Sequence, residues 1–276
     1  MAAKEKVRFP SFLRTIVSLS NRDLKKWYLN PALLVISLIQ PIIWLTLFGK
    51  AFNLGSLFAG NAGSAILTRI FGTSSYFSFL AIGMLAFITV STSMMGGMSI
   101  VWDRRFGFID KILSTPVSRA AIIIGKIVNS IVRALIQAGV VLIIAVALGM
   151  TVSYITLSGL ITTFGALFLL SFGMSSLFIL LALRSRDWQS QMMIINLLML
   201  PLLFASNAFF PVAEMPSWLQ AIANVNPISY AISIGRNAML GIPTSSSIYL
   251  QMGYLGAFAV GMGIISIVLS WKLLSK

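Results

Sequence analysis

The chain has 276 residues, 58% hydrophobic and 9% charged, with mean hydropathy +0.95. Soluble domains carry about 25% charged residues, so the composition is that of an integral membrane protein. The net charge of +14 does not mark a nucleic-acid binder, because the Lys and Arg flank apolar runs instead of clustering on one exposed face. With no Cys and no His, disulfides, thiolate centres and imidazole ligands are excluded, and no metal site is expected.

Residues 1–30 lack the apolar core and small-residue cleavage site of a signal peptide and read as a mature N-terminus. Within them Phe9, Phe12, Leu13, Ile16, Val17, Leu24, Trp27 and Tyr28 share one helical stripe, with Arg14, Asn21, Arg22, Lys25 and Lys26 mostly opposite. That pattern predicts a helix lying on the bilayer. Asn30 and Pro31 turn the chain, and Ala32 to Phe52 is long enough to cross a hydrocarbon core of about 30 Å. Pro41 kinks this span, either functionally or as a tolerated defect. Residues 53–75 are Gly-, Ser- and Asn-bearing and read as an outer loop. A second span runs from Tyr76 to Ile100.

Val101 to Arg119, VWDRRFGFIDKILSTPVSR, sets three Arg, one Lys and two Asp between two long apolar runs. Val101, Phe106, Ile109, Ile112 and Leu113 recur near helical spacing, which predicts a short amphipathic helix at the membrane surface. It is either a docking handle or a solvated loop whose charges fix topology. Ala120 to Met150 is longer than one span needs, so its inner third is expected to project below the membrane. Lys126, Arg133 and Gln137 share one face of it. Arg133 is expected to snorkel to the interface, the alternative being that it lines a substrate path.

Thr156 to Leu183 is a fourth span, Arg184 to Asp187 a tight turn, Trp188 to Phe210 a fifth span and Ile248 to Trp271 the sixth. In the last, Gly253, Ala257 and Gly261 form a small-residue ladder suited to packing within the subunit. Between the fifth and sixth, Pro211 to Gly241 holds two short helical patterns. Pro216 and Pro227 suit first helical positions, Asn226 an N-cap and Gly241 a stop. Neither pattern is long enough to cross, so the pair is read as re-entrant, the alternative being an outer surface loop.

Orientation follows from the basic residues. Six spans with both ends inside give the inner face seven Lys or Arg before Trp27, six from Arg104 to Arg133, then Arg184, Arg186, Lys272 and Lys276. Only Lys50, Arg69 and Arg236 fall outside, as the positive-inside rule requires. Trp27, Trp102, Trp188 and Trp271 mark inner span ends as an aromatic belt. The acids Glu5, Asp23, Asp103, Asp110 and Asp187 then lie inside and Glu214 outside. No carboxylate is left in mid-membrane, which disfavours an ion-coupled carrier. No GxSxG elbow, phosphate-cradling GxxxxGK[ST], His base or paired metal-binding carboxylates occur either, so energy for uphill transport must enter from another chain docked on the inner face.

Three features make the chain resemble the membrane permeases of type-2 ATP-binding-cassette (ABC) exporters, especially the daunorubicin-resistance-like branch. They are Arg22 to Pro31 leading through Ile39 to Pro41; Asp103 to Phe108 with Ser114 to Arg119, then Gly125 and Lys126; and Met199, Leu202, Ala205, Ser206, Ala208, Met215, Pro216, Pro227, Ile228, Tyr230 and Arg236. The resemblance covers essentially the whole chain. It implies an all-α six-span permease in the plasma membrane, with residues 1–30 as cytoplasmic tail and connector helix and 31–276 as permease domain. It further implies two copies of an ATP-binding subunit, which carry ATP and Mg, and a second permease, as a homodimer.

On that resemblance, residues 101–119 are the coupling helix, with Asp103, Arg104, Arg105, Phe106, Gly107, Asp110, Lys111, Pro116 and Arg119 toward the ATPase. Arg22, Asp23 and Lys26 belong to the connector. Pro211, Pro216, Pro227, Tyr230 and Arg236 belong to an outer gate, Arg236 being either a gate or a lipid-headgroup anchor. Trp44, Phe48, Met94, Met95 and Asn196 are candidates to line a substrate cavity at the dimer seam, the alternative being lipid-facing or packing burial. A hydrophobic drug or lipid is the expected substrate. A polysaccharide or lipid-linked glycan exporter, or a non-transporting assembly partner, are the alternatives.

Overall fold

The computed structural model of the chain describes residues 12–47, 61–114, 117–151, 156–185, 187–244 and 246–273. Every regular element among them is a helix: α1 (Phe12–Tyr28), α2 (Pro31–Thr46), α3 (Asn61–Phe71), α4 (Tyr76–Arg105), α5 (Phe108–Leu113), α6 (Arg119–Ala147), α7 (Leu157–Arg184), α8 (Trp188–Phe204), α9 (Ser217–Ala223), α10 (Pro227–Leu240) and α11 (Ile248–Leu273), with a 3-10 turn at Val212–Glu214. Four stretches are long and apolar enough to cross a membrane by length and composition: Ala65–Arg105, which contains α4, then Arg119–Ala147, Leu157–Arg184 and Ile248–Trp271. The apolar segments of α2 and α8, Val35–Thr46 and Trp188–Phe204, are shorter. The outer end of the expected first span falls at residues 48–52, outside the described residues.

Helix α4 forms the centre. It is buried on all sides along most of its length, packs along α6 and α7, and α7 in turn packs along α11. Close approach depends on missing side chains: a Cβ on Gly97 would lie 2.6 Å from the Phe178 carbonyl oxygen, and one on Gly173 2.4 Å from the Phe258 ring. The expected ladder in α11 does not serve this purpose. A Cβ on Gly253 or Gly261 would meet nothing within 4 Å, because α11 turns its Leu255 and Ala259 face to the core instead.

Two expected boundaries change. The outer loop at 53–75 contains helix α3, whose buried Leu67 and Phe71 dock on the start of α4: the Phe71 ring lies 5.0 Å from both Tyr76 and Phe79. Gly72, at φ 72°, then turns the chain into α4. Helix α8 stops at Phe204, short of the expected Phe210. Asn226 Nδ2 donates to the carbonyls of Leu202 at 2.7 Å and Ala205 at 2.9 Å, satisfying acceptors that are orphaned where a helix ends.

Asn226 also caps the next helix, its Oδ1 accepting from Ile228 N at 3.0 Å. Pro227 opens α10 and Gly241 closes it at φ 69°, while Pro216 occupies the cap position just before α9. Helix α10 buries Ile228, Ile232, Ile234 and Met239 against α7, α4 and α11. The region is therefore no surface loop; its large outward apolar side chains are Trp218 and Ile222 of α9 and Val225 in the turn after it.

Candidate functional site

Three places combine charge with the membrane-embedded bundle. The first is at the end of α4, where helix α1 lays one face, Ile16, Ser20, Asp23 and Trp27, along α6. Ser20 Oγ donates to the Gly125 carbonyl at 2.8 Å. The exposed stripe of α1 is Phe12, Leu13, Val17 and Tyr28, so only part of its apolar face packs on the bundle. Trp27, expected in the interfacial belt, is only 4% exposed.

This docking brings two acids and two bases together. Lys126 Nζ lies 2.6 Å from Asp23 Oδ2 and 2.5 Å from Asp103 Oδ2. Arg22 Nη2 lies 2.6 Å from Asp23 Oδ1 and 3.0 Å from Asp103 Oδ2. The group is formally neutral, as charges withdrawn from water must nearly be. Burial pushes the Asp23 carboxyl up, but Lys126 and Arg22 outweigh it and hold the group below the ordinary carboxylate range. Arg22 Cζ also sits 3.8 Å above the Phe108 ring, with Lys26 Nζ 6.0 Å from the same ring.

The expected single amphipathic helix over 101–119 is in fact two pieces. Val101 to Arg105 finish α4, Phe106 and Gly107 turn, with Gly107 at φ 67°, and α5 covers Phe108–Leu113. The break resets the helical phase. Phe106, expected on the apolar face, is 80% exposed, beside exposed Arg105, Gly107 and Lys111. Asp103 faces inward to the ionic cluster, and Arg104 Nη1 donates to the carbonyls ending α7, Leu183 at 3.4 Å and Ser185 at 3.3 Å. Arg119 Nη1 donates to the Trp271 carbonyl at 3.3 Å. Pro116, Phe48 and the Asp110 side chain lie outside the described residues.

The second place is a cavity of about 520 Å³ between α2, α4, α6 and α8. Trp44, Met94, Met95 and Asn196 all line it, as does Arg133. The Arg133 guanidinium carbon stands 5.2 Å from the Trp27 ring centroid, between the cavity and docked α1. Gln137, also in the wall, accepts from Thr92 Oγ1 and donates to Ser37 Oγ, tying α6 to α4 and α2.

Near the start of α4, Arg236 is 3% exposed, which excludes a lipid-headgroup anchor. Its guanidinium donates to the carbonyls of Phe79 at 3.0 Å, Asn207 at 2.6 Å and Ala208 at 3.0 Å and stacks 3.3 Å from the Phe79 ring centroid. It therefore ties α10 to α4 and to the turn after α8. Tyr230 Oη donates to the Asn224 carbonyl at 2.7 Å and its ring lies 4.3 Å from Tyr254. Pro211 precedes the 3-10 turn.

Sequence reasoning did not reach the ionic cluster, whose members lie 81 and 103 residues apart; the available signal was Lys126 inside an otherwise apolar stretch, which demanded a buried acid. Among the described residues no group of three acids could hold a metal ion.

Apolar helices around a cavity, with a charged knuckle at one end of the bundle, have the architecture of a membrane permease. The chain belongs to the ABC-2 type transporter family, whose profile matches residues 14–240. It is 33% identical over 204 residues to the transport permease ycf38 of Cyanophora paradoxa, covering 74% of this chain and 66% of that one. It is 27% identical over 214 residues to the daunorubicin resistance ABC transporter permease protein DrrB1 of Streptomyces coeruleorubidus, 76% of this chain and 70% of that one. To nodulation protein J of Neorhizobium galegae it is 28% identical over 272 residues, 97% of each chain.

Proposed function

We propose that the chain is the transmembrane subunit of an ATP-driven exporter, moving a hydrophobic drug-like or lipid substrate outward across the plasma membrane. It has six spans, α2 and α8 crossing together with the four longer helices, and both termini are cytoplasmic. It pairs with a second copy of itself and with two ATP-binding subunits that bring ATP and Mg. The observation that carries this reading is the exposed Arg105–Phe106–Gly107 knuckle on the rigid end of α4. A bare aromatic flanked by cations on a helix that walls the cavity is placed to transmit a push from a docked protein to that cavity. The drug-resistance name of the Streptomyces relative supports the substrate class.

In the mechanism, closure of the ATP-binding pair displaces the knuckle, α4 moves with it through the ionic cluster, and the cavity wall shifts against the second permease. The work enters as differential contact of the ATPase with two permease states. The test is reconstitution with a co-purifying ATP-binding subunit and measurement of drug- or lipid-stimulated ATP turnover. Phe106→Ala and Arg105→Glu are expected to depress stimulated turnover while leaving membrane insertion intact. A chain that never associates with an ATPase, or variants with unchanged stimulation, would overturn the reading.

A further inference from the structure

Resting on the exporter reading, the cavity indicates which hydrophobic substrates it selects. Among the described residues lining it, Arg133 is the sole charged one. Its Nε is buried and has no hydrogen-bond partner among the described residues. The close ion pairs of Asp23 and Asp103 are with Lys126 and Arg22, not with Arg133. A buried guanidinium donor with no acceptor is costly, and the natural relief is a ligand oxyanion, which the planar fork binds through two parallel bonds.

The rest of the wall is graded. Gln137 stands one helical turn from Arg133 and bonds Thr92 and Ser37, with Met94 and Met95 following Thr92 in the wall, whereas Trp44 lies farther along α2, Phe87 earlier on α4, and Leu203 and Phe204 at the end of α8. Asn196 and Phe204 stand eight residues apart on α8, about 12 Å at the helical rise, enough for a headgroup at one level and an aliphatic tail at another. With the termini cytoplasmic, the polar end faces the inner membrane surface, so the gradient has the same sense as an inner-leaflet amphiphile.

We propose that this cavity is a binding site for anionic amphiphiles, in which Arg133 holds a phosphate or carboxylate headgroup and the Trp44 to Phe204 end takes the aliphatic tail. A neutral apolar drug satisfies only half of the site.

The test uses purified full-length protein in neutral detergent, with bound ligand read by native mass spectrometry. A 16-carbon lysophosphatidic acid is compared with the monoacylglycerol of the same chain, and inorganic phosphate is the competitor. The wild type is expected to prefer the phosphate-bearing lipid about tenfold, the scale of one charge-assisted contact. Arg133→Gln should remove the preference, Arg133→Lys retain part of it, and Arg69→Gln, an exposed cation elsewhere, leave it unchanged. Gln40→Glu, at an exposed position on the wall, should also remove it with Arg133 intact, and decides the matter if Arg133→Gln does not fold. Equal binding of the two lipids by the wild type, unchanged preference in both Arg133→Gln and Gln40→Glu, or displacement by equimolar inorganic phosphate overturns the proposal. Selectivity without ATPase association leaves this site standing and removes the exporter reading; association without selectivity does the reverse.

Discussion

Lys126 Nζ and Asp23 Oδ2 meet at 2.6 Å across a contact almost closed to solvent, the side chains being 5% and 10% exposed, and this pair joins α6 to α1. Lys126→Met leaves Asp23 and Asp103 facing each other without their shared cation, a loss of about 3 kcal/mol. Unfolding of the variant in detergent micelles measures it. Adding Asp23→Leu is expected to cost less than the sum of the single changes, because both remove the same interaction.

Acid should loosen the same contact. The Asp23 carboxyl titrates below its ordinary value in the folded chain, so its stabilising contribution is complete above the unfolded value of about 3.9 and is lost as pH falls through the depressed folded value. The stability margin of wild type over Asp23→Asn should be flat from pH 5 to 8, as an approximate window, and should shrink below about pH 4. A margin that instead grew on acidification would contradict the assignment.

Arg236→Lys should loosen α10 from α4 and from the turn after α8. An ammonium cannot reproduce a planar fork shared among the Phe79, Asn207 and Ala208 carbonyls, and each lost charged hydrogen bond is worth about 1.5 to 3 kcal/mol. Hydrogen exchange across α10 and the turn at 205–208 is the direct measurement, with protection expected to fall there before it falls in α7.

The glycines separate packing from pattern. Gly97→Ala should destabilise by about 1 to 3 kcal/mol, since the new methyl would lie 2.6 Å from a backbone oxygen. Gly253→Ala, with open space around it, should be neutral or mildly stabilising, as alanine is the better helix former. Thermal unfolding of the two variants should bracket the wild type.

Phe106→Ala should leave stability within about 0.5 kcal/mol of wild type, as exposed sites generally do, even though it is expected to impair ATPase coupling. A large stability loss would mean that Phe106 packs within the chain, and its proposed docking role would fail.

Much of this fold was legible beforehand because hydrocarbon is an exacting solvent: every spanning segment must satisfy its backbone internally, and the apolar run lengths declare themselves. The Asn226 cap, the Pro227 start and the Gly241 stop were legible for a similarly local reason, since each depends on one residue's own backbone or side-chain geometry. Helix α3 was not. Its Gly, Ser and Asn content reads as loop, and it is held to the core by buried Leu67 and by the Phe71 contact with Tyr76 and Phe79.

The sequence by itself thus determined an all-helical membrane chain, the positions of its long helices and the charge asymmetry of its connecting segments, all set by local composition. Tertiary structure alone decided the partners of those charges. Asp103 met Lys126 because it continues α4 on the side where α6 and α1 pack, Arg236 was enclosed by carbonyls because α10 folded back into the bundle, and Arg133 came to lie between the cavity and Trp27 of the docked α1. A side chain's charge is written in the sequence, but whether it meets water, a counter-ion or an apolar cavity depends on which distant helix lies against it.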